Sequence, residues 1–386
     1  MTRPKSRPRR HLLCAGLLAA LPASARATPI APMPLAATWA AADGSYHAGI
    51  LSLSNSELVG QSTRGQRPQN TIELPTRAHA VLPAADRSLI VVARRPGDWL
   101  LRWRPGSSAE PEWVWAGADR SFNGHAIFSA DGARLFTTET DAATGAGLIG
   151  VRDARSLRLL AEWPTHGIDP HELLLDAGGQ LIVANGGVPT QPETGRARRD
   201  MSRMDSSLVR LHATTGQRLA QWRLLDTRLS LRHLARMTVA GKPHIGIALQ
   251  AEHDDPAQRA AAPVLALLDG QQLRTCAAPP LAGYGGSIVA WQGQWVVSCP
   301  RVHGVARFDA GGRWLGQLAL TEACALAVAP TDETLWVGGR ERAALYHARH
   351  ASTHHARHAS THHAPGLRLD NHWAPWPHAG QGRARA

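Results

Sequence analysis

Apolar and polar positions in this chain fall into short runs with the two-residue rhythm of strands. The clearest case is Gly167 to Gly187, GIDPHELLLDAGGQLIVANGG: an apolar run, an Asp-Ala-Gly-Gly turn, a second apolar run and an Asn-Gly-Gly exit. Two such runs around a glycine-containing turn mark a β-hairpin. The same grammar stands upstream in GHAIFSADGARLFTTE, and before that in His79 to Pro83 followed by Ser88 to Ala93. It returns more faintly from His233, with Gly246 to Gln250 as the second run. Aligned on their first residues, the hairpins begin near Ala37, His79, His125, His171, His233, Ser287 and Cys324. The intervals are about 42, 46, 46, 62, 54 and 37 residues, the range of four-stranded propeller blades. The expected fold is all-β, a seven-bladed β-propeller over 37–376 with very little helix.

Two stretches break the rhythm. After Asn185-Gly186-Gly187 comes the insertion VPTQPETGRARRDMSRMDSS, basic through Arg196 and its neighbours. A loop of this length is either solvated chain or a cap over the channel that holds an anionic ligand. Residues 348–363 are two identical octads, ARHASTHH, with no large apolar side chain to bury. The tract 347–363 therefore reads as a disordered His-rich insertion in the last blade. Its functional reading is loose binding of copper, nickel or zinc. Leu367 to Trp373, LRLDNHW, reads as a return to strand, and 377–386 as a tail.

The N-terminus reads as an address. Arg3, Lys5, Arg7, Arg9 and Arg10 precede the apolar run Leu12 to Leu21, and Ala25-Arg26-Ala27 has the small-x-small form of a cleavage site. The apolar run is too short to span a bilayer. Arg9-Arg10 gives residues 1–27 a twin-arginine look, with general secretion as the alternative. A linker, 28–36, follows. The expected mature protein is periplasmic and monomeric, with no membrane span. Removing the signal lowers the formal charge from +12 to about +6. That mild excess, without any recognition motif, gives no basis for a nucleic-acid partner. Of the four cysteines, Cys276, Cys299 and Cys324 survive processing. Cys299 and Cys324 fall at neighbouring strand ends, so a disulfide between them is a candidate.

The chemistry lies in the phase of the repeat. In a propeller blade the first strand lines the central channel, and its hairpin partner ends on the same face of the ring. His79, His125, His171 and His233 open four consecutive repeats, and Glu172 sits beside His171. Glu139 and Asn185 end second strands, a rank behind. Neutral imidazoles facing one axis suit iron, copper or zinc, and carboxylates behind them can fix ring tautomers. Carotenoid-cleaving oxygenases hold a four-histidine iron inside a seven-bladed propeller, an analogy of architecture. The competing reading is structural: in tryptophan-aspartate propellers a Gly-His pair bonds within its own blade. There is no nucleophile elbow, phosphate loop or HExxH, and no CxxCH to carry covalent haem.

GHAIFSADGARLFTTE, GIDPHELLLDAGGQLIVANGGV, MSRMDSSLVRL, LSLRHLA and LDNHW resemble the exported "domain of unknown function 1513" family over roughly residues 35–375. The resemblance implies a propeller similar to the quinoprotein-amine-dehydrogenase type. Genes of this family lie beside imelysin-type and di-haem periplasmic proteins, which implies those partners and a role in iron or other metal acquisition. The family has no established reaction. Its typical positions, matched by motif, include His125, Glu139, His171, Glu172, Asn185, Arg196, Arg232, His233, Asn371 and His372. The sequence reading is thus a binding or accessory protein for metal acquisition. The alternatives are a metal-dependent oxidoreductase built on the histidine ring and an interaction scaffold with an empty channel.

Overall fold

The computed structural model describes residues 1, 33–54, 57–60, 70–190, 200–331, 333–347, 358–364 and 366–376. The segment read as an export signal (Met1 apart), most of the segment read as a linker, Arg196, the first octad and the segment read as a tail lie outside the described residues. From Met33 the chain forms one compact unit, and it is a ring of seven antiparallel blades.

Blade 2 shows the plan. Ala78–Pro83, Leu89–Ala93, Trp99–Trp103 and Glu112–Trp115 pair in sequence order. Blades 3 to 6 repeat it, with innermost strands Arg120–Phe128, Pro170–Leu175, Leu229–Val239 and Ser287–Trp291. Second strands are the most deeply buried because neighbouring blades cover both of their faces. Leu89–Ala93 and Leu181–Asn185 are buried at every residue. The core accordingly divides into seven clusters, one between each pair of successive blades. Each large apolar side chain so buried contributes about 1.5–3 kcal/mol. Between strands, aspartates close the turns: Asp131 accepts from the Ala133 amide and Asp176 from those of Gly178 and Gln180. Among the described residues the only α-helix is Pro256–Ala261, in the insertion of blade 5.

The sequence reading needs correction at both ends of the ring. Ala37 does not open an innermost strand; it lies on Leu35–Ala41, the second strand of blade 1. The innermost strand of that blade comes from the other end of the chain. Leu367–Pro375 pairs antiparallel with Leu35–Ala41, from Leu35↔Pro375 to Ala41↔Leu367, and closes the circle. The octad tract is corrected as well. His358–His363 is a strand, the fourth of blade 7, paired with Arg342–His347. Its backbone supplies the ladder, which needs no apolar side chain. Alternation then puts His362 in the interior against Trp336 and leaves Thr361 and His363 exposed.

The three described cysteines are free thiols, so the expected Cys299–Cys324 bond is not formed. Burial pushes the Cys276 thiol up to about 11 and those of Cys299 and Cys324 up to about 12. None is a thiolate at neutral pH.

Candidate metal centre

Five of the seven innermost strands carry a β-bulge, and each bulge carries a histidine. In blade 2 the register jumps between Ala78 and Ala80, leaving His79 unpaired. In blade 3 Asn123, Gly124 and His125 stand opposite the single residue Thr138. In blade 4 His171 and Glu172 share Ala184, and in blade 5 Arg232 and His233 share Ala248. In blade 1 Asp370, Asn371 and His372 face Thr38. Extra residues in one strand release it from the ladder and re-aim its side chains. The innermost strands of blades 6 and 7 pair without a break and carry no histidine.

The bulges bring the five imidazoles together on the axis. Centroids of His79, His125, His171 and His233 lie 4.6 to 5.3 Å apart between blade neighbours and between His125 and His233. His372 joins them at 4.5 Å from His79, 4.9 Å from His125 and 4.7 Å from His233. One ring nitrogen from each of His79, His125, His171 and His233 falls within 4.8 Å of all the others. Tetrahedral ligation at about 2.1 Å sets ligand atoms about 3.4 Å apart, so small ring rotations close the set. His171 Nε2 and His233 Nε2 are already 3.0 Å apart.

The ring is buried and largely unsatisfied. Both nitrogens of His79, Nε2 of His125 and His372, and Nδ1 of His171 and His233 have no hydrogen-bond partner among the described residues. Burial, then the neighbouring imidazoles, hold His79, His171 and His233 well below the ordinary histidine range; burial, then His372, does the same for His125. Burial brings His372 down to about 4. All five are therefore neutral at pH 7 and present lone pairs. Beside the ring is a cavity of about 20 Å³, room for about one water-sized body.

The other sequence-assigned residues divide. Arg232 is close to the ring: buried at the blade 5 bulge, it pairs with Asp169 Oδ2 at 2.9 Å and borders the same cavity, as does Asn371. Glu172 bridges blades 4 and 5, accepting from the Leu234 amide at 2.7 Å, with its second oxygen 3.8 Å from His125 Nδ1. Burial raises its carboxyl to about 8, so it approaches the ring uncharged. Glu139 does not join the ring. Strand alternation turns it to the other face, where it meets Arg152 at 2.8 Å and Thr137 at 2.6 Å. Its neighbour Thr138 faces the channel side instead and donates to the His171 carbonyl at 3.0 Å. Asn185 spends its amide on Thr165 O and Ser207 Oγ. His372, assigned only a supporting place by sequence, belongs to the ring itself.

A family model described as "Protein of unknown function (DUF1513)" matches residues 72–376, all the ring histidines included. The chain belongs to the DUF1513 family. No curated protein matches it. Among solved structures, this DUF1513 chain is similar to a hypothetical selenium-binding protein from Sulfolobus tokodaii, with TM-score 0.60 and 11% identity over 88% of this chain and 93% of that one. It is also similar to a catalytically inactive virginiamycin B lyase from Staphylococcus aureus, with TM-score 0.53 and 9% identity over 79% of this chain and 92% of that one. A streptogramin B lyase gives TM-score 0.51 and 11% identity over 70% and 80%. At these identities the likeness is one of fold. Residues that sequence reasoning passed over also serve the DUF1513 site. Asp169, at φ 54°, bridges Arg232 and Arg95, and Asn123 ties the blade 3 bulge to the Pro170 carbonyl. The Asp-Pro-His run was the available signal for Asp169.

Proposed function

We propose that the histidine ring holds one transition-metal ion and that the protein is an exported metal-binding propeller serving metal acquisition. The observation that carries the reading is the set of orphaned nitrogens: four buried imidazoles and the half-buried His372 converge, and six of their nitrogens have no partner among the described residues. A buried polar group without a partner costs about 1–3 kcal/mol, and a shared metal ion offsets that cost for several at once. His79, His125, His171 and His233 are the ligands, and His372 is packed where it completes or supports the set. Neutral nitrogen donors suit iron, copper or zinc. Arg232 and Asp169 hold the backbone of the blade 4 and blade 5 bulges in place. The signal-like N-terminus supports a periplasmic setting, and imelysin-type or di-haem proteins are the partners the resemblance offers. X-ray absorption at the metal edge tests the reading. It should give four or five nitrogen neighbours at about 2.0–2.1 Å with imidazole outer-shell scattering. A shell dominated by carboxylate oxygen or sulfur would overturn it.

A metal-dependent oxidoreductase is favoured by one feature. A larger cavity shares the wall residues Arg94, Tyr284 and Asn371 with the small one beside the ring, which puts an exogenous molecule next to the space where an ion would sit.

A further inference from the structure

That larger cavity lies over the rim formed by blades 1, 2, 6 and 7, with a volume of about 460 Å³, within the range of small-molecule sites. Arg94, Tyr284 and Asn371 line both it and the small cavity beside the histidines, so the two spaces share a wall at the channel mouth. Its charge is one-sided. Five guanidiniums line it, from Arg77, Arg94, Arg301, Arg340 and Arg368, against the carboxylates of Glu322 and Asp370. Arg77 binds Asp370 through both forks at 2.7 Å, and Arg340 lies 3.7 Å from Glu322. Five guanidiniums to two carboxylates leave the lining net positive. Arg301 Cζ lies over the Tyr284 ring, 4.5 Å from its centroid, and its guanidinium donates to the Ala282 carbonyl.

We infer that this vestibule binds a small organic carboxylate and delivers one of its oxygens to the ion held by the histidine ring. The inference rests on the metal reading above. The donor set of the ring is neutral, so a bound dication keeps its full charge, and an anion entering beside it is strongly favoured. Guanidiniums recognise planar oxyanions through paired hydrogen bonds, and the Arg77–Asp370 fork shows this wall already doing so. An organic body fits better than a bare inorganic ion, because Tyr46, Pro300 and Leu369 supply apolar wall among the arginines.

The test uses the mature chain loaded with Co(II), whose visible spectrum reports the ion's ligands. Succinate is titrated in, with inorganic phosphate as a separate arm. The spectrum should change saturably with succinate, and the double variant Arg301→Gln with Arg340→Gln should need about tenfold or more succinate while binding the same Co(II). A normal Co(II) complement with a spectrum blind to succinate overturns this inference and leaves the ring reading standing. So does a succinate response that the two arginines do not affect, or one given by phosphate alone. Failure to bind Co(II) removes the ring reading, and this inference with it.

Discussion

His79→Leu separates a site from a structural feature. Both ring nitrogens of His79 are buried without a partner among the described residues, and each such group costs about 1–3 kcal/mol. Leucine is close to histidine in volume, and volume-conserving replacement in a core costs less than about 1.5 kcal/mol. The metal-free variant should therefore be more stable than the metal-free wild type by about 1–3 kcal/mol. That corresponds to a rise of a few degrees in melting temperature, roughly 2 °C per kcal/mol for a chain of this size. With zinc at a thousand times its Kd, the wild type gains about 4.1 kcal/mol, and a variant that has lost the site gains nothing. The order of melting temperatures should then reverse. Scanning calorimetry after chelation and after zinc addition reads both. A chelated variant less stable than chelated wild type by about 1 kcal/mol or more would show that His79 makes favourable bonds of its own, and the argument from orphaned nitrogens would fail.

The pH dependence carries a definite sign. Burial holds the ring histidines below their unfolded value near 6.5, and His372 at about 4. The unfolded chain thus binds more protons between those limits. Stability is fully present above about pH 6.5 and falls as pH drops below it, by up to about 1.4 kcal/mol per histidine per unit. Urea midpoints at pH 7, 6 and 5 should fall steeply, and a flat series would contradict the burial. Gly124→Ala is expected to cost about 2–4 kcal/mol and to weaken metal binding, because Gly124 has φ 101° and a Cβ there would stand 2.6 Å from His79 Cδ2. Gly132→Ala, at φ 71° with open space around it, should cost about 1–2 kcal/mol and leave metal titration unchanged. Deleting 348–355 should leave stability within about 1 kcal/mol, since the identical second octad still supplies His358–His363. Deleting 348–363 removes that strand and should lower the melting temperature clearly; equal effects would show that the strand contributes nothing.

The repeat was legible because a hairpin's apolar runs and turn glycines are local, and His79, His125, His171 and His233 kept one phase through four blades. What remained hidden was non-local. The strand holding His372 is last in sequence but innermost in blade 1, so only ring closure places it beside His79. The bulges were unreadable because an extra residue in one strand leaves no mark until its partner's register is known. That is also why Glu139, sited by counting to a strand end, turns out to face Arg152. The second octad looked structureless because it lacks apolar side chains, yet the open edge of Arg342–His347 needed only a backbone to pair with.

The central claim is one ion held by the histidine ring, with His79, His125, His171 and His233 as its ligands, and metal content tests it most directly. The protein lacking 348–355 should be purified and its metal measured by elemental analysis beside a His125→Ala, His171→Ala double variant. One transition-metal ion per chain is expected in the first and none in the second, with both folded by circular dichroism. Equal metal in the two folded proteins, or none in either after iron, copper and zinc have each been supplied, would contradict the account.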